Sequence, residues 1–101
     1  MAQFDVHRTR SAATYPFAVD LQANVHTKLG SRLVAPLIAR ARYTLPLTRL
    51  TPAVTVRDAE YVVLLPAMTA VPTSSLGEIV GSLASHRNAL IAAVDLLVTG
   101  S

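Results

Sequence analysis

The chain has no cysteine, no tryptophan and only four glycines among its 101 residues. The absence of cysteine excludes disulfide scaffolds, thiolate zinc sites and thiol nucleophiles, and it fits a reducing compartment. The scattered glycines exclude a phosphate-cradling loop. Charged residues are also scarce, at 15% of the chain against about 25% in an ordinary soluble domain.

No hydrophobic run is long enough to cross a membrane. The longest apolar stretch, Ala89–Val98, is interrupted by Asp95 and is half as long as a membrane span requires. The first residues, MAQFDVHRTRS, lack the apolar segment of a signal peptide. We therefore expect a cytoplasmic protein without a membrane segment.

Apolar residues, in contrast, are abundant. They make up 51% of the sequence, which excludes intrinsic disorder. A chain of this length supports one hydrophobic core, so we expect a single domain over residues 1–101. With so few charges, a small domain leaves apolar surface facing water. We therefore expect a partner, most simply a second copy of the chain.

The charges are unevenly distributed. Residues 1–57 hold eight of the nine basic residues and two acidic ones, a net charge of +6, whereas residues 58–101 hold one arginine and four acidic residues, a net charge of −3. A basic part attracts anionic partners, either nucleic acid or an acidic polypeptide. A solvated positive face accounts for the same pattern without any partner.

Apolar and polar residues alternate along six short segments, which predicts strands. The predicted strands are Gln3–Arg8, Phe17–Gln22, Leu33–Val34, Ala53–Val56, Tyr61–Leu65 and, as the last of them, Met68–Val71. Six prolines between positions 16 and 72 exclude a long helix there. Turns are predicted at Leu29–Ser31 and Arg57–Ala59. The stretch Arg40–Arg49 fits neither period, which predicts a loop or a ragged edge.

The end of the sequence predicts a helix between Ser82 and Thr99, a stretch free of glycine and proline. Ser82 or Ser85 can cap it, and Gly100 follows as a stop. The helical repeat of apolar residues consists of Leu90, Ile91, Val94, Leu97 and Val98.

The opposite side of this helix is nearly apolar as well, and we expect it to contact a second copy. Its residues are Ala89, Ala92, Ala93 and Leu96. A helix lying on a sheet needs only one apolar face. High helix propensity alone also explains the alanines.

The sequence offers few groups of residues that could form a catalytic site. The three histidines, His7, His26 and His86, have no second ligand at metal-binding spacing. Ser85 and His86 point about 100° apart on a helix, so they do not form a nucleophile–base pair. Aromatic residues do not interleave with basic ones as in proteins that bind single-stranded nucleic acid. These observations predict a binding module rather than an enzyme, with no metal and no cofactor.

Several separated segments resemble the CcdB family, the toxins of a bacterial toxin–antitoxin module that poison DNA gyrase. The segments are QFDV at 3–6, YPFAVDLQ at 15–22, RLVAPL at 32–37, LTP at 50–52, MTAVP at 68–72, LG at 76–77 and AAVDLLVTGS at 92–101. No single segment is specific. The specific signal is their order and spacing, which extend over nearly the whole chain.

The resemblance implies a mainly β fold, a bent antiparallel sheet related to SH3-like barrels, with one C-terminal α-helix. It implies a homodimer that binds the DNA gyrase A subunit and traps the gyrase–cleaved DNA complex. A cognate, CcdA-like antitoxin would neutralise the toxin by folding its disordered C-terminal segment onto it. The complex would bind operator DNA through the antitoxin and so regulate its own transcription.

The resemblance also implies where the partners bind. The positions matching the gyrase-facing patch are Phe4, Val25, His26, Thr99, Gly100 and Ser101. The positions near the loop that meets the antitoxin are Arg8, Arg10 and Tyr15. Core packing in the first strand is an equally good role for Phe4. If Arg8, Arg10 and Tyr15 do not contact the antitoxin, they are residues of an exposed loop.

Two further hypotheses remain open. An endoribonuclease toxin has a related fold and a basic surface, and it would use Arg8, His7 or Arg32 as acid, base or phosphate-stabilising group. Nothing in their spacing brings these residues together. A toxin-like remnant would bind antitoxin without harming gyrase. Thr99 and Ser101 support the remnant, because they stand where some members carry a tryptophan and an aliphatic residue.

Overall fold

Seven antiparallel strands and one helix form the fold in a computed structural model that describes residues 2–10, 15–23 and 30–100. The elements are β1 Asp5–Thr9, β2 Phe17–Asp20, β3 Ser31–Ala39, β4 Ala53–Val56, β5 Ala59–Val63, β6 Thr69–Pro72, β7 Leu76–Ser82 and α1 Arg87–Thr99. Short 3₁₀ turns join several of them. The predicted class, mainly β with a C-terminal helix, is confirmed.

The sheet runs in the order β4-β5-β3-β2-β1-β7. The long strand β3 pairs with β2 along one edge and with both β6 and β5 along the other. The far ends of the sheet approach each other, and Arg57 Nε donates a hydrogen bond to the carbonyl oxygen of Val80 on β7 at 3.1 Å. The sheet therefore curls into a half-barrel.

One face of the curled sheet and the helix enclose the main core. Val6, Val19 and Leu37 contribute from successive strands, and Leu90 and Ala93 contribute from α1. All five side chains are at most 1% exposed. Burial of this continuous apolar surface holds the helix on the sheet.

The predicted strands are found, with one omission. Ala53–Val56 is confirmed residue for residue, and the third strand extends well beyond Leu33–Val34 to span Ser31–Ala39. Met68–Val71 was wrongly predicted to be the last strand, because β7 follows it at Leu76–Ser82. Arg40–Arg49 contains a 3₁₀ turn and no strand, as expected for a loop.

The helix begins later than its sequence predicts. Ser82 is the last residue of β7, and its hydroxyl accepts a hydrogen bond from the backbone N–H of Ala84 at 3.2 Å. A 3₁₀ turn at Ala84–His86 then leads into α1, which has no side-chain cap. The predicted stop is confirmed: Gly100 adopts the left-handed conformation (φ 76°). Within the described residues, no helix is both long and apolar enough for a membrane span.

The turn between β4 and β5 holds two residues in a backbone conformation that favours glycine. Arg57 and Asp58 both have positive φ, 50° and 67°, in a two-residue loop that favours glycine at its second position. Replacing Asp58 with glycine should therefore raise the free energy of unfolding by about 0.5 kcal/mol, measured by urea denaturation. Asp58→Ala, which keeps a Cβ, is the matched control. An equal gain from both variants would contradict this explanation.

Candidate partner-binding surfaces

The end of α1 is an exposed apolar tip. Val98 is 68% exposed, and Thr99 and Gly100 are exposed as well. The Gly100 N–H donates to the carbonyl oxygen of Leu96 at 2.9 Å, and the Thr99 hydroxyl donates to that of Asp95 at 2.6 Å. These bonds close the last turn of the helix. Ser101 lies outside the described residues.

Phe4 belongs to the core, which is one of the two roles that the sequence allowed for it. Its side chain is 3% exposed, and its φ of 69° is unusual for an aromatic residue. Its N–H donates to the carbonyl oxygen of Asp20 at 2.6 Å, and its own carbonyl accepts from the Leu83 N–H at 2.8 Å. The ring therefore presents almost no surface to a partner. Val25 and His26 lie outside the described residues.

An apolar groove crosses the other face of the sheet, and we call it the β1–β6 groove. Its volume is about 400 Å³. The groove is lined by Thr9, Arg10, Tyr15, Ala18, Val34, Pro36, Ala67, Thr69, Val71, Ser75 and Leu76. Most of these side chains are apolar or short, so the groove suits aliphatic side chains of an extended or helical segment.

The rim of the β1–β6 groove is held by side-chain hydrogen bonds. Arg10 Nε donates to the carbonyl oxygen of Ser74 at 2.8 Å, and the Thr9 hydroxyl donates to that of Tyr15 at 2.6 Å. Tyr15 itself is 39% exposed. The groove thus brings together two of the three predicted antitoxin residues, Arg10 and Tyr15.

Arg8, the third of those residues, lies beside the groove without lining it. Its Nε donates to Glu78 Oε1 at 2.8 Å, and its guanidinium lies 5.6 Å from the ring centre of Phe17. The hydrogen bond and the positive charge of Arg8 lower the pKa of the Glu78 carboxyl below its ordinary value. This exposed ion pair ties β1 to β7 next to the groove wall.

Three polar side chains are buried on the face of the sheet that carries the β1–β6 groove. Arg32 and His7 are each 1% exposed, and Asp20 has no exposed surface. Arg32 Nε and Nη2 both lie 2.8 Å from Asp20 Oδ2, while the other carboxylate oxygen accepts the Gln22 N–H at 2.8 Å. The His7 ring Nδ1 lies 3.2 Å from the carbonyl oxygen of Gly77.

A second hollow, the helix hollow, lies between α1 and the β3–β4 connection. Its volume is about 450 Å³. The hollow is lined by Arg49, Pro52, Ala89, Ala92, Ala93, Asp95 and Leu96. Three of the four predicted dimer residues, Ala89, Ala92 and Leu96, are at least partly exposed there. Ala93 does not lie on the outer side as predicted: it is 1% exposed, because it turns toward the sheet beside Leu90.

Among residues 2–10, 15–23 and 30–100, no three potential metal ligands of the His, Cys, Asp or Glu type come together. Sequence reasoning also missed Arg49 and Pro52 as neighbours of the helix, and Ser75 and Leu76 as a wall of the groove. Leu76 and Val80 are both buried on β7, but Leu76 belongs to the apolar cluster at the groove and Val80 to the main core. Register shifts in the pairing of β7 with β1 break the regular alternation of faces, and the sequence pattern alone does not show them.

A profile of the family described as CcdB protein matches residues 3–100. The chain belongs to the CcdB family. As a CcdB-family protein it is a toxin of a toxin–antitoxin system. The match covers every strand and the whole helix, so it agrees with the order of the segments that suggested the family.

Solved structures share the fold of this CcdB-family chain. "Mycobacterium tuberculosis toxin MazF-mt6" superposes with a TM-score of 0.72 at 22% identity, over 90% of this chain and 92% of that one. "Endoribonuclease in complex with its cognate antitoxin from Mycobacterial species" superposes with a TM-score of 0.75 at 14% identity, over 94% and 91%. At such low identity these likenesses establish the fold alone.

Proposed function

We propose that this CcdB-family toxin acts by binding the DNA gyrase A subunit and trapping the enzyme on cleaved DNA, without catalysing a reaction itself. Membership of the CcdB family over residues 3–100 is the observation that carries the proposal. The proposed active form is a homodimer in the cytoplasm. A cognate antitoxin neutralises it and supplies the contact with operator DNA.

The tip of α1 supports a role as the gyrase-facing surface. Val98, Thr99 and Gly100 are exposed together, and the Gly100 N–H and the Thr99 hydroxyl donate the hydrogen bonds that close the last helical turn. A preorganised apolar tip loses little conformational entropy when it enters a partner. Val98 thus supplies exposed apolar surface next to Thr99. Val25, His26 and Ser101 remain part of the proposed surface.

A gyrase cleavage assay tests the proposal. Purified protein added to gyrase, ATP and plasmid should increase linear, protein-linked DNA and inhibit supercoiling. The antitoxin, added in excess, should reverse both effects. Unchanged supercoiling at saturating toxin would overturn gyrase poisoning and leave the remnant hypothesis, in which antitoxin still binds.

The endoribonuclease hypothesis finds little support at the residues considered for it. A general acid or base must touch its substrate, yet His7 and Arg32 are each 1% exposed. Arg8 is exposed but already paired with Glu78. Incubating the pure toxin with RNA is the direct test, and cleavage that is lost in Arg8→Ala would favour this second function.

The β1–β6 groove is the proposed site of the antitoxin. Apolar antitoxin side chains would fill it, and acidic ones would meet Arg10 at its rim. Val71→Asp, which places a charge on the apolar lining, should weaken antitoxin binding at least about thirtyfold in a calorimetric titration. Tyr15→Ala should weaken it less, by about tenfold.

Thr55→Asp is the matched control for Val71→Asp, because Thr55 is exposed on β4 and does not line the groove. It should bind antitoxin as the wild type does. Full antitoxin affinity in a folded Val71→Asp variant would show that the antitoxin binds elsewhere.

A further inference from the structure

Two opposite charges line the helix hollow without pairing. Arg49 lies on the β3–β4 connection and Asp95 on the last turns of α1, and both side chains are exposed. Within the part of the chain that the structure describes, neither side chain forms an ion pair. The hollow therefore presents one positive and one negative group beside Pro52 and Leu96.

Asp95 has no cation beside it among the described residues of the isolated chain. It lies one turn before the end of α1. Arg49 lines the same hollow, yet within the described residues the two side chains do not form an ion pair. A cation supplied from outside the chain would give Asp95 an opposite charge.

Two exposed leucines precede Arg49 on the same connection between β3 and β4. Leu45 is 63% exposed and Leu47 is 41% exposed. A turn is formed around Arg49, because Thr51 is buried and its hydroxyl accepts a hydrogen bond from the Thr48 N–H at 2.8 Å. Exposed leucines on the connection that also carries Arg49 are typical of a protein-binding surface.

We propose that a second copy of this chain docks at the helix hollow, with Arg49 of each protomer facing Asp95 of the other. In a twofold dimer the same patch meets itself, so the patch must be self-complementary. A surface with one charge of each sign meets that requirement, and the twofold axis produces two ion pairs. A strongly acidic polypeptide fits less well, because Asp95 would repel it.

This inference rests on the homodimer of the proposed function and adds the residues that specify it. Leu96 and Pro52 would lie between the two ion pairs and exclude water from them. Partial removal from water strengthens an ion pair relative to one that is fully solvated. Arg49 and Asp95 would thus decide which surfaces of two copies meet.

Charge reversal tests the pairing. Arg49→Glu and Asp95→Arg should each raise the dimer dissociation constant at least about tenfold, measured by sedimentation equilibrium at low salt, because each places like charges opposite one another. The double variant Arg49→Glu/Asp95→Arg restores both ion pairs with reversed polarity. It should dimerise within about threefold of the wild type.

Glu60→Arg is the control, since it reverses a charge on an exposed β5 residue outside the helix hollow, and it should not change dimerisation. Circular dichroism checks that every variant is folded. A monomeric wild type, unchanged dimerisation of either folded single variant, or no recovery in the double variant would overturn the inference.

The gyrase cleavage assay, run on the same preparations, separates this inference from the proposed function. If charge reversal and rescue behave as expected but the wild type leaves gyrase unaffected, gyrase poisoning is wrong and the dimer surface stands. If the wild type poisons gyrase but the reversals leave the dimer intact, only the dimer surface is wrong.

Discussion

Replacing Asp20 with alanine should lower the free energy of unfolding by about 3–5 kcal/mol. Asp20 has no exposed surface, and both Nε and Nη2 of the buried Arg32 lie 2.8 Å from one of its oxygens. Removing the carboxylate leaves a guanidinium charge in the interior without a counterion, and it also removes the acceptor of the Gln22 N–H. Urea unfolding followed by circular dichroism measures the loss.

The double variant Asp20→Leu/Arg32→Met keeps this prediction testable if the single variant does not fold. Because it removes both charges, it should be much more stable than Asp20→Ala. Arg8→Ala is the comparison at the surface: it breaks the exposed pair with Glu78 and should cost far less than Asp20→Ala. Equal losses in Asp20→Ala and Arg8→Ala would contradict the role given to burial.

Replacing Val98 with aspartate should abolish killing of bacteria and weaken gyrase binding at least about thirtyfold. Val98 is 68% exposed, so the substitution removes little packing, and an acidic residue in the last turn of the helix costs only about 0.3–1 kcal/mol of stability. In a complex with gyrase the new carboxylate would lose its water without a partner, which is costly. Binding of a gyrase A fragment is measured by surface plasmon resonance, and killing by induced expression.

Deleting residues 99–101 should also abolish killing while leaving the dimer intact. Val71→Asp on the groove is the reciprocal variant, since it should retain killing but escape the antitoxin. Thr55→Asp again serves as the control for an added surface charge. Continued killing by folded Val98→Asp and by the deletion would show that the tip of α1 is not the gyrase-facing surface.

Local patterns in the sequence predicted much of the fold. The hairpin at Arg57–Ala59 and the strand Ala53–Val56 follow from alternation and turn chemistry, which act between near neighbours. The end of the helix at Gly100 likewise depends on a single residue that tolerates positive φ. Such features need no information about distant parts of the chain.

Strand β7 was missed because its evidence is not local. Gly77 and Gly81 weaken its strand propensity, yet a Cβ at Gly77 would lie only 2.8 Å from the carbonyl oxygen of Arg8 on β1. Close approach of two backbones therefore explains the glycine. The helix start was misplaced for the same reason, since Ser82 pairs with Asp5 across the sheet.

By itself, the sequence determined the family and the β-rich fold with a C-terminal helix, because periodicity, turn residues and segment order are properties of the chain alone. It counted Val98 with the apolar repeat of the helix, and only the structure shows that this side chain is exposed. Only the tertiary structure decided that Phe4 and Ala93 are core residues, that Asp20 and Arg32 form a buried pair, and that Arg49 lines the same hollow as Asp95. Burial and charge proximity depend on which distant segments curl together. For this protein, that outcome is set by the pairing of β1 with β7 and the packing of α1 on the sheet.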